Sequence, residues 1–289
     1  MSKKPPNFSI ANAVVEGTQQ LRDAAVPDAR RDAGSLLAHV LGRDRTFLIA
    51  HADGALSDEE FRAFRFLIER RARGEPAQYI TGHQEFFKLD FEVTRAVLIP
   101  RPETELIVET ALELLRNDSK PRLADIGTGS GCIAISLLHE MNAARAVATD
   151  VSVAALAVAQ RNAECHCVAD RLELLESDCF SAMDASGSFS LIASNPPYVS
   201  DGELKDLQTE VHYEPRAALA GGPDGLSVIR RLLEQAPPFL RPGGYFLFEI
   251  GFGQSEAVEQ LIDRRVWKLL EIQRDLQQIP RVFVLQGQD

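Results

Sequence analysis

From Pro121 to the end, short apolar runs alternate with stretches of helical spacing, and this alternation restricts the fold more than any other feature. Arg122 to Ile126, Arg145 to Thr149, Leu172 to Leu175, Phe189 to Ala193 and Tyr245 to Ile250 read as strands. Cys132 to His139, Val153 to Asn162, Gly225 to Glu234 and Ser255 to Arg264 read as helices. Repeated strand–helix units imply a doubly wound, mostly parallel sheet covered on both faces. Trp267 to Ile272 and Arg281 to Leu285 add two strands, for seven in all. Gln273 to Pro280 is too short for a crossover helix, so these two pair antiparallel or sandwich an edge strand. The expected fold is α/β and Rossmann-like.

The first 74 residues read differently, as helix throughout. Apolar positions Ala13, Val14 and Leu21 fall in Ile10 to Ala25, and Ala33, Leu36, Leu37 and Val40 fall between Pro27-Asp28 and Gly42. Ser57-Asp58-Glu59-Glu60 has the form of a capping box, in which the Ser57 hydroxyl accepts from the Glu60 N–H while the Glu60 carboxylate reaches back. The helix it starts carries Phe61, Phe64, Leu67 and Ile68 inward and closes with Arg70, Arg71, Arg73 and Gly74. Residues 75–102 then read as a connector. Glu85 to Lys88 and Leu89 to Val93 form a hairpin, and Pro100 and Pro102 stiffen the run into a helix over Glu103 to Leu115. That two-proline entry either presses Arg101 or Glu103 against a ligand or serves as an interdomain strut. The domains expected are thus a helical module over 1–74, a connector over 75–102 and a catalytic domain over 103–289.

Charge divides along the same line. The chain carries −11 in all, yet the first 74 residues hold 12 Lys/Arg against 10 Asp/Glu. A mildly basic helical module ahead of an acidic body suits partner recognition, and a solvated bundle face explains it equally well. The acidic balance argues against a dedicated duplex nucleic-acid binder. No run approaches the roughly 18 apolar residues of a membrane span, and Met1 to Pro6 lead into no apolar signal-peptide core. The expectation is a cytoplasmic protein with no membrane association. Cys132, Cys165, Cys167 and Cys179 form no C-x-x-C pair, and Cys165-His166-Cys167 has no second cluster to complete a metal site, so no metal is expected.

Between the first strand of the alternation and its helix stands Asp125-Ile126-Gly127-Thr128-Gly129-Ser130-Gly131. Its glycines allow a tight turn and close approach of a ligand to the main chain. The spacing G-x-G-x-G departs from the dinucleotide fingerprint, and no lysine ends it as in a phosphate loop. A cofactor without phosphates suits it better. Asp150 ends the next strand, where a carboxylate can bind two ribose hydroxyls. Asp178, after the third strand, is placed to take an adenine amino group. Each acid read alone is as well explained as a helix cap. Together they converge on the crevice outside the carboxyl ends of the strands.

The fourth strand leads into Asn195-Pro196-Pro197-Tyr198. An Asn side chain offers one carbonyl acceptor, and the prolines leave carbonyls without competing N–H donors. With the Tyr198 ring they make a rigid cup of acceptors suited to a planar –NH2 group. A strand-ending turn is the plainer reading of Asn-Pro. Upstream glycines and acids favour the cup.

This combination resembles the S-adenosylmethionine-dependent class I methyltransferases, and within them the protein-(glutamine-N5) methyltransferases that act on peptide chain release factors. The resemblance covers nearly the whole chain. It rests on Arg73 to Gly82, Phe91-Glu92-Val93, Leu98-Ile99-Pro100-Arg101-Pro102-Glu103-Thr104-Glu105, the glycine loop, the tetrad and Tyr213 to Leu219. It implies that Gly127, Thr128, Gly129, Ser130, Gly131, Asp150 and Cys179 line the cofactor, which leaves as S-adenosylhomocysteine. It also implies that Asn195, Pro196, Pro197 and Tyr198 hold the amide of the glutamine in a Gly-Gly-Gln motif, with a release factor as partner and the enzyme a monomer. Cys179 stands where such proteins often carry an aromatic residue. The stretch Asp275 to Arg281 lacks the glycine usual before the Arg-Val of the last strand. Competing readings are glutamine methylation of a ribosomal protein, adenine-N6 or cytosine-N4 methylation of nucleic acid after base flipping, and a non-catalytic cofactor-binding adaptor.

Overall fold

The computed structural model describes residues 8–185 and 187–288, so Met1 to Pro6 lie outside the described residues. The chain forms two compact units.

The helical unit runs to Gly82 and takes in residues 208–213. It contains α1 (Ile10–Asp23), α2 (Ala29–Leu41), α3 (Arg45–Ala50), α4 (Asp58–Ala72) and α5 (Ala77–Thr81). Leu21, Leu36, Leu37, Phe64 and Ile68 fill its core, while Phe61 and Leu67 pack half-buried at its margin. Gly17 is required where α1 crosses α4, because a Cβ there would come within 2.7 Å of Phe64 Cζ. The capping box forms: the Glu60 N–H donates to Ser57 Oγ at 3.2 Å, and the Ser57 N–H donates to Glu60 Oε2 at 2.7 Å.

Arg71 does more than close a helix. Its side chain is 3% exposed, donates to Asp32 at 2.6 Å and pairs with Glu210. Buried charge of this kind persists only when paired. Two pieces of this unit carried no sequence signal of their own: α3, and the segment 208–213 drawn from far along the chain. Of the region read from sequence as a connector, residues 75–82 belong to the helical unit, where α5 packs through Ile80, and residues 83–102 belong to the second unit.

That second unit opens with an antiparallel hairpin, β1 (His83–Phe86) and β2 (Leu89–Glu92). Its two-residue turn, Phe87-Lys88, has φ of +49° and +62°. Such turns normally recruit Gly or Asn, so the conformation is held by surroundings instead. Phe86 and Phe91 are buried in the unit's core, and the Phe87 N–H donates to Glu105 Oε1 at 2.9 Å. A 3-10 turn over Pro102–Thr104 leads into α6 (Glu105–Leu115). The helical spacing seen from Glu103 onward therefore begins as a tighter turn.

The sheet comprises β3 (Arg122–Ile126), β4 (Arg145–Asp150), β5 (Leu172–Glu176), β6 (Phe189–Ser194), β7 (Leu240–Glu249), β8 (Trp267–Arg274) and β9 (Pro280–Gly287). Its strand order is β5-β4-β3-β6-β7-β9-β8. The first four pairings are parallel, and β9 runs antiparallel to both β7 and β8. Of the two arrangements open from sequence, the last two strands thus pair antiparallel, with β9 inserted between β7 and the edge strand β8. Helices α7 (Cys132–Glu140), α8 (Val153–Cys165), α9 (Ser227–Gln235) and α10 (Ser255–Leu261) complete the unit.

Alternate residues feed two cores. Leu191 and Ala193 of β6 pack into one with α6 and α7, and Ile192 packs into the other with α9 and Trp267. All six residues of β6 are buried. Strand order reverses between β3 and β6, so a crevice opens beyond the carboxyl ends of those two strands. Among the described residues, no helix is long and apolar enough to cross a membrane, and no group of three or more His, Cys, Asp or Glu could hold a metal ion.

Candidate active site

At that crevice lies a cavity of about 310 Å³, lined by the glycine loop, Asp150, Asp178, Cys179 and Asn195 to Pro197. The loop leaves β3 and turns into α7. Gly129 has φ of +57° and donates its N–H to Asp150 Oδ2 at 2.9 Å. Gly131 has φ of +84°, and a Cβ there would stand 2.6 Å from Ile135 Cδ1. Glycine at these two positions lets the loop fold tightly over the end of α7.

Asp125 anchors the loop from below. Its Oδ2 accepts from Thr128 Oγ1 at 2.7 Å and from the Ala134 N–H at 3.2 Å. Its Oδ1 and Ser130 Oγ are buried and have no hydrogen-bond partner among the described residues. Burial pushes the Asp125 carboxyl up to about 6, against the two hydrogen bonds, and the charge of Asp150 adds to the rise. Asp150 sits at the end of β4 with one hydrogen bond per oxygen, from Gly129 and from the Ser152 N–H at 2.9 Å. Burial raises this carboxyl too. An ionised carboxylate has about four acceptor sites, so two remain for a ligand.

Asp178 is mostly exposed and ion-paired with Arg231 of α9 at 2.8 Å. Cys179 is buried at φ of +52°, and burial raises its thiol above the ordinary range while the Arg231 charge opposes. Its carbonyl accepts from Thr149 Oγ1 at 3.3 Å and Ser177 Oγ at 3.0 Å, which holds the turn in place.

Ser194, the last residue of β6, donates its hydroxyl to Ile126 O at 2.6 Å and so locks the tetrad to the root of the glycine loop. Asn195 Nδ2 donates to Thr104 Oγ1 at 2.9 Å, and Thr104 Oγ1 donates to Glu249 Oε2 at 2.6 Å. The Tyr198 hydroxyl donates to the other oxygen, Glu249 Oε1, at 3.3 Å. Asn195 Oδ1 and the Pro196 and Pro197 carbonyls accept no hydrogen bond from the described residues. Burial pushes Glu249 up to about 7 against the Thr104 and Tyr198 hydrogen bonds; the negative charge of Glu103 adds to the rise and Arg281 opposes it. Burial, with the Glu249 charge beside it, raises the Tyr198 phenol as well.

The crevice therefore gathers Gly127, Thr128, Gly129, Ser130, Asp150, Asp178, Cys179, Asn195, Pro196 and Pro197. It leaves four sequence candidates off its wall: Gly131, which turns the loop into α7 from behind, Tyr198, Arg101 and Glu103. Tyr198 turns its hydroxyl to Glu249, with its ring edge where a Gly251 Cβ would come within 3.0 Å. Arg101 is engaged by the buried Glu214, whose other oxygen accepts the Ile99 N–H at 3.4 Å. Glu103 is half-buried beside the wall. The two-proline segment instead presents Pro100 and Thr104 to the cavity. Sequence reading missed Thr104 and Glu249. The signal was faint: Glu249 is the one acid at the end of the otherwise apolar run Tyr245 to Ile250.

Comparison with known proteins places the chain in a family. Residues 12–82 match the family described as the PrmC N-terminal domain, and residues 104–222 match the methyltransferase small domain. A release factor glutamine methyltransferase of Koribacter versatilis is 40% identical over 96% of this chain and 98% of its own length. One from Geobacter sulfurreducens is 44% identical over 91% and 92%. The crystal structure of a methyltransferase from Pyrococcus furiosus, 20% identical, covers 76% of this chain and 99% of its own with a TM-score of 0.53, a likeness of fold.

Proposed function

The chain belongs to the release factor glutamine methyltransferases, and from that premise we propose that it methylates the side-chain amide nitrogen of the glutamine in a release factor's Gly-Gly-Gln motif. The observation that carries the site assignment is the pairing of two free acceptors, Asn195 Oδ1 and the Pro196 carbonyl, with the glycine loop and Asp150 in one cavity.

The residues present fit S-adenosylmethionine. Asp150 has acceptor capacity for a ribose diol. The buried orphans Asp125 Oδ1 and Ser130 Oγ offer polar atoms at the base of the loop. No lysine or arginine stands in the loop to receive a phosphate. Asp178, committed to Arg231, and Cys179 form the wall beyond β5, where an adenine ring would lie. Bound there, the cofactor supplies an electrophilic methyl group: the amide nitrogen forms the new N–C bond while the C–S electron pair returns to sulfur.

An amide nitrogen is a poor nucleophile because its lone pair is delocalised into the carbonyl. Asn195 Oδ1 and the Pro196 carbonyl accept its two N–H bonds and hold the plane of the –NH2 group. The lone pair then points at the methyl carbon. Orientation of this kind is worth roughly 7–11 kcal/mol in favourable cases. The acceptors also stabilise the positive charge that builds on nitrogen. No strong base is required, because the methylated nitrogen passes its proton to water. Tyr198 supports the tetrad from behind, through Glu249.

The test is peptide mapping by mass spectrometry after incubating the enzyme with S-adenosylmethionine and purified release factor. One methyl group on the glutamine of Gly-Gly-Gln, absent when that residue is Ala, is the expected result. Methylation elsewhere, or none, overturns the substrate assignment.

A further inference from the structure

A carboxamide has two chemically opposite ends, and a site that needs acceptors works only if the Asn195 side chain faces the right way. Turned over, it would offer two N–H donors to a substrate –NH2 group. The atoms behind Asn195 decide the matter. Thr104 and Glu249 are each 1% exposed, so water does not supply alternative partners. Thr104 has one hydroxyl hydrogen, and at 2.6 Å it is spent on Glu249 Oε2. Thr104 Oγ1 can then only accept. The atom of Asn195 that can donate to it is Nδ2, found at 2.9 Å. Oδ1 is left for the cavity.

We propose that Glu249 and Thr104 form a one-way hydrogen-bond relay that fixes the Asn195 carboxamide with its oxygen toward the substrate, making the site selective for an amide –NH2 over a carboxylate. The relay rests on the reading that Asn195 receives the substrate amide. Glu249 and Thr104 are positioning residues, since neither touches the reacting atoms. A glutamate in place of the substrate glutamine brings only acceptors to a wall of acceptors, and buried polar mismatches of that kind discriminate strongly. The Tyr198 hydroxyl on Glu249 Oε1 ties the far end of the tetrad to the same carboxylate.

The polarity depends on Glu249 being ionised, because a carboxylate only accepts while a protonated carboxyl also donates. The groups facing Glu249 are Thr104 and Glu103 from the 3-10 turn, Tyr198, Arg281 from β9, and Cys132 from α7, whose thiol is neutral at about 12. With burial holding Glu249 near 7, the relay loses its direction as pH falls through that value.

The experiment is single-turnover methyl transfer to intact release factor at saturating S-adenosylmethionine, for wild type, Thr104→Val, Thr104→Ser and Glu249→Gln. Thr104→Val is expected to lower the rate by about 10–100-fold, as for loss of a transition-state hydrogen bond, with cofactor Kd and release-factor KM within about threefold. Thr104→Ser restores most of that loss. The wild-type rate rises through pH 7. In Glu249→Gln, whose amide can still accept from Thr104 in one orientation, the plateau falls only about 3–10-fold and the acidic limb disappears. An unchanged rate in Thr104→Val, or a limb that persists in Glu249→Gln, overturns the relay. Should Glu249→Gln fail to bind cofactor, the Thr104 pair decides alone. Wild type that leaves the Gly-Gly-Gln glutamine unmethylated refutes the underlying reading, and the relay with it.

Discussion

At the scale of single residues, the chemistry reduces to how many acceptors survive unpaired beside the glycine loop. Asn195 was legible in the sequence because Asn-Pro-Pro-Tyr follows an apolar strand. Thr104 and Glu249 were not, since Thr104 lies 91 residues from Asn195 and 145 residues from Glu249, and only the folded sheet brings them together. Glu249 also carries a stability cost. Its native carboxyl sits near 7 against an ordinary value of 4.5, so the folded state holds the proton more tightly than the unfolded one. Its contribution is therefore most favourable below about pH 4.5 and is lost as pH rises through 7. Glu249→Gln, which stays neutral, should raise the unfolding free energy at pH 8 by on the order of 2–3 kcal/mol and leave it nearly unchanged at pH 4. Chemical denaturation at the two pH values measures this. A variant less stable than wild type at pH 8 would contradict the assigned burial penalty.

At the scale of elements, the parallel strands and their helices were readable because short apolar-rich runs alternate with stretches of helical spacing, most clearly at β6, which is buried throughout. The hairpin turn at Phe87-Lys88 was not signalled, because neither residue favours positive φ. The long-range ties around it hold that turn. Asn162 of α8 shows how such ties reach the site. Its Oδ1 accepts the Glu92 N–H at 2.8 Å, and its Nδ2 donates to Glu92 O at 3.0 Å and to Ser130 O at 2.9 Å. One buried amide thereby joins the hairpin to the glycine loop. Asn162→Ala leaves three backbone groups short of a partner and should cost about 2–4 kcal/mol, with weaker cofactor binding as the loop loses its tether. Calorimetric titration with S-adenosylhomocysteine would detect that change, and unaltered affinity would separate α8 from the site.

At the scale of the whole molecule, the two compact units divide the labour we assign. Among the described residues, those that line the cavity all fall within 83–207 and 214–289. The division of the helical unit from the sheet was visible in the switch from helical spacing to strand–helix alternation. The recruitment of residues 208–213 was not, because it depends on Arg71 finding Glu210 as well as Asp32. Arg71→Ala strands two carboxylates and should lower the stability of the helical unit by about 3 kcal/mol. If the helical unit grips the release factor, removal of residues 1–82 raises the KM for release factor and leaves cofactor Kd near its original value. An unaffected KM would assign that grip elsewhere. The central claim remains local to the tetrad, and the rate of single-turnover methyl transfer by Asn195→Ala at saturating S-adenosylmethionine tests it most directly. A fall of about a hundredfold or more with cofactor affinity preserved is the result predicted from loss of a transition-state acceptor. A rate equal to that of wild type would contradict the account.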